Sequence, residues 1–188
     1  MSRAGYVLTG GASSRMGRDK ALLPYRGQTL VEWTAEVVRE AAGSVTIVGS
    51  AEKYGLLGLP LIEDRTPGCG PLSGLDAVLA QSGAEWNLVV ACDMPNLRSP
   101  FLRWLLEEAE HASADVTMPA GEPLCAVYRH TCREPIERAL AEGRWKLARA
   151  IEPLRVKIVT AADTECLANA NTPEDWAKIL AHQEVAGD

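Results

Sequence analysis

Leu88-Val89-Val90-Ala91-Cys92-Asp93 is a continuous apolar run, β-branched at its centre, that ends in a carboxylate and the stiff turn Met94-Pro95. A strand that is apolar on both sides must be covered on both sides, which is the position of a central strand in a largely parallel sheet. Upstream of it, Tyr6-Val7-Leu8 reads as the end of a second buried strand, and Ser44 to Val48 and Leu61-Ile62-Glu63 read as shorter ones. Between these, Thr29-Leu-Val-Glu32 has the form of a capping box, and Leu30, Trp33, Val37, Val38 and Ala41 follow at helical spacing, which predicts a helix over 29–42. Gly70-Pro71 opens a helix through about Gln81 with Leu75, Val78 and Leu79 facing inward.

Downstream, Ser99-Pro100 is expected to cap a helix bearing Leu102, Leu105, Leu106 and Ala109. Strands are expected at Val116-Thr-Met118 and Leu124 to Tyr128, and a second capping box, Thr131-Cys-Arg-Glu134, precedes Ile136 and Leu140. A helix over 144–151, a strand at Val156 to Val159 and a last helix capped by Thr172-Pro173 complete the order. Strands alternating with helices predict an α/β fold of three layers, Rossmann-like, with a mostly parallel central sheet and ligands outside the carboxyl ends of the strands. No repeat, low-complexity tract or linker interrupts the 188 residues, so residues 1–188 are expected to form one domain.

Gly10, Asp64 and Asp93 each stand just after an expected strand, and the first opens the densest cluster of polar chemistry in the chain. In Leu8-Thr-Gly-Gly-Ala-Ser-Ser-Arg-Met-Gly-Arg-Asp-Lys20, Gly10 and Gly11 let the backbone turn several N–H groups toward one anion, and Arg15, Arg18 and Lys20 add positive charge. Ala21, Leu22 and Leu23 are expected to anchor the far end of this loop in the core. The segment is not a Walker loop, because Lys20 is followed by Ala21 where a magnesium-holding hydroxyl is needed, and it breaks the G-x-G-x-x-G dinucleotide pattern. A net charge of −6 surrounds this basic island, to which Arg26 also belongs, and speaks against a nucleic-acid or anionic-membrane footprint. Small phosphorylated ligands suit that contrast.

The odd cysteine count, with no C-x-x-C pair, suggests reduced buried thiols in a cytoplasm, and neither a signal peptide nor a membrane span is expected. His111, His130 and His182 lack ligand spacing, and Ser13 and Ser14 have no evident base, so none is assigned a catalytic role.

Over these residues the chain resembles the molybdenum cofactor guanylyltransferases of the nucleotidyltransferase superfamily. Their signature L-x-G-G-x-S-x-R-M-G-x-D-K is matched by residues 8–20, and Cys92-Asp93-Met94-Pro95 matches a Cys-Asp-x-Pro segment whose aspartate binds magnesium. Asp64 followed by Gly70-Pro-Leu-Ser-Gly74 is similar to an aspartate with G-P-L-x-G, and Asn169-Ala-Asn171-Thr-Pro173 to N-x-N-T-P. The resemblance implies a nucleotidyltransferase fold that moves GMP from GTP onto molybdopterin or its molybdenum-loaded form, releases pyrophosphate and uses Mg²⁺. It implies catalytic roles for Arg15, Lys20 and Asp93, with Asp93 as metal ligand. Nucleotide contacts would come from Leu8, Thr9, Gly10, Gly11, Lys20, Asp64, Gly70, Gly74 and Asp93.

Further substrate or metal contacts are expected at Asn169 and Asn171, although Asn171 and Thr172 could simply cap the last helix. Arg144 and Lys146 lie where the family receives the pterin, although a solvated helix face explains those charges. Contact with cofactor-insertion proteins or target molybdoenzymes is a further expectation. Where some relatives carry a guanine-contacting asparagine this chain has Val48-Gly49-Ser50, so a cytidylyltransferase of the same superfamily stays open, although Asp19 before Lys20 matches the guanylyl branch. A nucleotide or cofactor carrier without chemistry is the remaining alternative.

Overall fold

The computed structural model describes residues 2–10, 19–65, 69–160 and 165–185, the last four of these as backbone alone. The apolar run becomes strand β6 (Trp86–Ala91), buried at every position. Before it come β1 (Arg3–Leu8), the hairpin β2 (Pro24–Tyr25) and β3 (Gln28–Thr29), helix α1 (Leu30–Ala42), β4 (Thr46–Val48), α2 (Ala51–Tyr54), β5 (Leu61–Ile62) and α3 (Pro71–Gln81). After it come α4 (Ser99–Glu110), β7 (Val116–Pro119), β8 (Cys125–Arg129), α5 (Arg133–Ala141), α6 (Leu147–Ile151), β9 (Val156–Val159) and α7 (Pro173–Val185).

The central sheet runs β5-β4-β1-β6-β8-β7-β9. All its pairings are parallel except the two made by β8, which lies antiparallel to β6 and β7. Each face of the sheet is covered by its own apolar cluster. One packs α1 and α4 on Val7, Ile47, Leu88 and Val90; the other packs α3, α5 and α6 on Tyr6, Leu8, Val89 and Ala126. This is the expected three-layer α/β arrangement. Because successive strand side chains point to opposite faces, Val89 and Val90 serve different layers, which is why the run has no polar position.

The capping box at α1 forms as read: Thr29 Oγ1 accepts from the Glu32 N–H, and the Thr29 N–H donates to the Glu32 carboxylate at 2.8 Å. Three local expectations are corrected. The second box does not form, because Thr131 sits inside a 3-10 turn (His130–Cys132), and its hydroxyl turns to the Asp115 carboxylate while α5 begins behind Cys132 without a side-chain cap. Ser99 is the first helical residue of α4, and the capping position falls on Arg98, again without a side-chain cap. The helix expected over 144–151 is only Leu147–Ile151, with Arg144 to Lys146 ahead of it. Among the described residues no cysteine forms a disulfide; Cys69 is partly exposed and the other four are buried. Also among them, no helix is long and apolar enough to cross a membrane.

Candidate active site

The carboxyl ends of β1 and β6 lie side by side, so Leu8 and Asp93 are neighbours: the Cys92 N–H donates to the Leu8 carbonyl at 3.2 Å. Leu8 and Thr9 point their side chains into the fold. Leu8 is buried in the α3 layer, and Thr9 Oγ1 donates to the Val48 carbonyl at 2.8 Å, so neither side chain is left for a ligand. Past Thr9 the structure describes Gly10; Gly11, Arg15 and Arg18 lie outside the described residues.

The chain re-enters at Asp19. Its Oδ1 accepts from the Ala21 N–H at 3.1 Å and so caps a 3-10 turn, Lys20–Leu22. Of the expected anchor, Ala21 is buried and Leu22 remains 38% exposed, so the anchoring falls on Ala21 and on the Asp19 cap. Lys20 projects back across the sheet ends. Its Nζ donates to Asn171 Oδ1 at 2.8 Å and stands 3.9 Å from Asp93 Oδ2. The Lys20 side chain is 17% exposed and that of Asp93 25%. Burial holds the Asp93 carboxyl above its ordinary range, and the Lys20 charge opposes this without reversing it.

Asp93 is held from behind by aromatic packing. Tyr25 OH and Trp33 Nε1 both donate to the Pro95 carbonyl, at 3.1 and 3.2 Å, and Trp176 of α7 packs on the Tyr25 ring. Arg26 stacks on this support, its guanidinium 4.6 Å from the centre of the Trp33 ring. In front, the Ala170 N–H donates to the Asp93 carbonyl at 2.8 Å and draws the 169–171 segment onto the site. The two asparagines then take separate partners: Asn171 meets Lys20, and Asn169 hydrogen-bonds the Glu122 carboxylate. Capping of α7 is done by Thr172, whose hydroxyl accepts from the Asp175 N–H at 3.1 Å while Asp175 Oδ2 accepts from the Asn171 and Thr172 N–H groups. Thr172 thus takes the capping task, and the Asn171 amide is turned to Lys20 instead.

Gly70 precedes α3 with φ 65°, a conformation that favours glycine, and Pro71 begins the helix. Gly74 serves close packing. A Cβ there would lie 3.1 Å from Leu8 Cδ2 and 3.5 Å from Asp64 Oδ1, so the missing side chain lets α3 approach both β1 and Asp64. Asp64 is an exposed residue whose carboxyl is nevertheless pushed up by loss of water. Its contact with Gly74 explains how: the carboxylate end is turned onto the first turn of α3.

Glu122 was not singled out by sequence. It lies in the β7–β8 connection, and both burial and the Asp93 charge raise its carboxyl, while Asn169 lowers it. The one signal for it was the short turn Gly121-Glu122-Pro123 between two expected strands. Arg144 and Lys146 lie apart from this group. They line an open groove of about 780 Å³ with Trp145, Arg149 and Glu152, and Arg144 pairs with Glu142 at 2.7 Å. Among the described residues no hydrogen bond or ion pair joins either to Lys20 or Asp93.

A half-buried ammonium, a carboxylate and an amide at paired strand ends, beside a helix N-terminus, can hold a polyanion and its counter-ion. Residues 5–156 match the family described as a MobA-like NTP transferase domain. The chain is 34% identical to a probable molybdenum cofactor guanylyltransferase of Carboxydothermus hydrogenoformans, over 93% of each chain. It is 36% identical to one of Pelotomaculum thermopropionicum, over 100% of this chain and 97% of that one. Among solved structures it is similar to molybdopterin-guanine dinucleotide biosynthesis protein A of Archaeoglobus fulgidus. There the TM-score is 0.81 at 27% identity, covering 93% of this chain and 95% of that one. With that signature carried on this fold, the chain is a nucleotidyltransferase and belongs to the MobA-like family of molybdenum cofactor guanylyltransferases.

Proposed function

We propose that this chain transfers GMP from GTP to the terminal phosphate of molybdopterin or its molybdenum-loaded form. An oxygen of that phosphate attacks the α-phosphorus of GTP, the bond to the β-phosphate oxygen breaks, and pyrophosphate leaves. The observation that carries this reading is the meeting of Lys20, Asn171 and Asp93 at the ends of β1 and β6. Such a displacement needs alignment and charge neutralisation more than covalent help.

Lys20, with Arg15 and the N–H groups around Gly10 and Gly11 as further candidates, would hold the triphosphate and balance the charge on the departing pyrophosphate. Asp64 beside Gly70 and Gly74 offers acceptor oxygens to base or ribose donors. Among the described residues no cluster of three or more His, Cys, Asp or Glu side chains forms a metal cage. That suits magnesium carried by phosphates, which takes one or two carboxylates and keeps several waters. Asp93 would be its protein ligand, and the ion would supply charge neutralisation at the α-phosphate. Burial raises the Asp93 carboxyl, so a cation would suit it, and the Lys20 ammonium would then be left to face the phosphates.

Arg144 and Lys146 are proposed for the phosphate end of the acceptor, and the cytoplasm is the proposed compartment. Delivery of the product would involve contact with insertion proteins or target molybdoenzymes. The test is pyrophosphate release by the purified chain with molybdopterin and either GTP or CTP, with Mg²⁺ and again with EDTA. Release with GTP that EDTA abolishes is expected. Preference for CTP would reassign the base, and nucleotide binding without release would make the chain a carrier.

A further inference from the structure

We infer that Tyr54 is a positioning residue for the transfer, clamping together the two roots of the glycine-rich segment so that Lys20 is aimed at the triphosphate. Its role depends on Lys20 acting there, as proposed above. Tyr54 ends α2 and is buried, only 3% exposed. Its hydroxyl donates to Asp19 Oδ2 at 2.9 Å, on the far root of the segment, while its ring and the Thr9 hydroxyl, on the near root, both border Gly49. Thr9 is itself fixed to β4, since its N–H and its hydroxyl both donate to the Val48 carbonyl. Asp19 uses its other oxygen to cap the turn that Lys20 begins. One phenol therefore connects the end of β1 to the residue that precedes the catalytic lysine.

The surroundings are built around this contact. Gly49 leaves room for it: a Cβ there would overlap the Thr9 hydroxyl and lie 2.9 Å from Tyr54 Cε2. The α2 helix that presents Tyr54 is held at its start by the Glu63 carboxylate, which accepts from the Ala51 N–H at 3.0 Å. Lys53 adds an ion pair to Asp19 at 3.2 Å, but its side chain is 59% exposed and solvent weakens the pair. A buried hydroxyl bonded to a carboxylate is the stronger element. Packing alone would be served equally by phenylalanine, so the hydroxyl's bond to Asp19 marks what the site requires of this residue.

The test is Tyr54→Phe in the full chain, assayed for pyrophosphate release with GTP, molybdopterin and Mg²⁺. Loss of a hydrogen bond to a charged group predicts kcat about ten-fold lower, with KM for GTP within about two-fold of the parent. The discriminating measurement is a cycle with Lys20→Ala. If Tyr54 acts through Lys20, the double variant turns over within about two-fold of Lys20→Ala alone. Parental kcat in Tyr54→Phe overturns the clamp, and so does an undiminished ten-fold loss on top of Lys20→Ala, which is what a merely structural role gives. Parental turnover in Lys20→Ala overturns both the clamp and the proposed role of Lys20. Should Tyr54→Phe fail to fold, Asp19→Asn carries the same test, because it weakens the same hydrogen bond and keeps the ring in place.

Discussion

Replacing Lys20 by alanine removes the one cation that the described structure sets against Asp93, at 3.9 Å. Two unit charges at that spacing interact by about 4 kcal/mol at an effective dielectric of about 20, the value suited to a half-enclosed site. In the proposed Michaelis complex the ammonium would face phosphate oxygens instead, and the transition state would gain from the charge that moves onto the leaving pyrophosphate. Realising about half to all of that interaction gives about 2–4 kcal/mol, equivalent to a drop of about thirty- to a thousand-fold in turnover. We expect about a hundred-fold or more, measured as kcat for pyrophosphate release at saturating GTP and Mg²⁺. The fold should survive, because the Lys20–Asn171 hydrogen bond that the substitution removes is exposed. A folded Lys20→Ala protein that turns over within about ten-fold of the parent would refute the electrostatic reasoning, since a preorganised charge cannot be removed with so little effect.

Asp93→Asn should abolish Mg²⁺-dependent turnover and raise the thermal midpoint of the metal-free protein at neutral pH. Burial of the charge outweighs its attraction to Lys20, so a neutral amide suits the folded state better; a lowered midpoint would show that the Lys20 pair dominates. At the opposite end of the sheet, Arg3 grips Glu110 through two hydrogen bonds of 2.6 and 2.7 Å and holds its carboxyl below the ordinary 4.5. A depressed folded value means that this stability is complete above the unfolded value and disappears as pH falls through the folded one. Glu110→Gln should therefore cost about 1 kcal/mol at pH 7 and nothing in strong acid, by denaturation at several pH values; a pH-independent difference would contradict the pairing. Arg144→Ala with Lys146→Ala should raise KM for the molybdopterin acceptor several-fold and leave KM for GTP unchanged. A change in the GTP value would move these cations to the nucleotide.

Most of the sheet was legible because its strands are apolar on both faces. Leu88 to Ala91 could belong only in the middle, and β9 falls at the expected 156–159. Asp93 and Lys20 were legible because each follows a punctuated strand or loop end. What sequence hid was set by distant partners. Thr131 has the spacing of a cap, but the Asp115 carboxylate competes for its hydroxyl, and local pattern cannot weigh a partner from another strand. The β2–β3 hairpin and α2 are too short to show a period. The antiparallel course of β8 was hidden because a buried strand reads the same in either direction, and with it went Glu122, which becomes a neighbour of Asp93 only through that reversal. Asn171 was ambiguous for a related reason, since capping and ligand binding call for the same amide.

Lys20 donates to a residue 151 positions further along the chain, and the Asp93 carbonyl is held by Ala170, beyond the stretch that the family match covers. During synthesis, β1 can pair with β4 and β6 and the nucleotide half of the centre can take shape while this segment is still to be made. Only when α7 docks its tryptophan on Tyr25 does Asn171 reach the lysine. If Lys20 acts as proposed, turnover would report on that last segment: a copy stopped or clipped after β9 would keep its sheet and its carboxylates but lack the amide that steadies the ammonium.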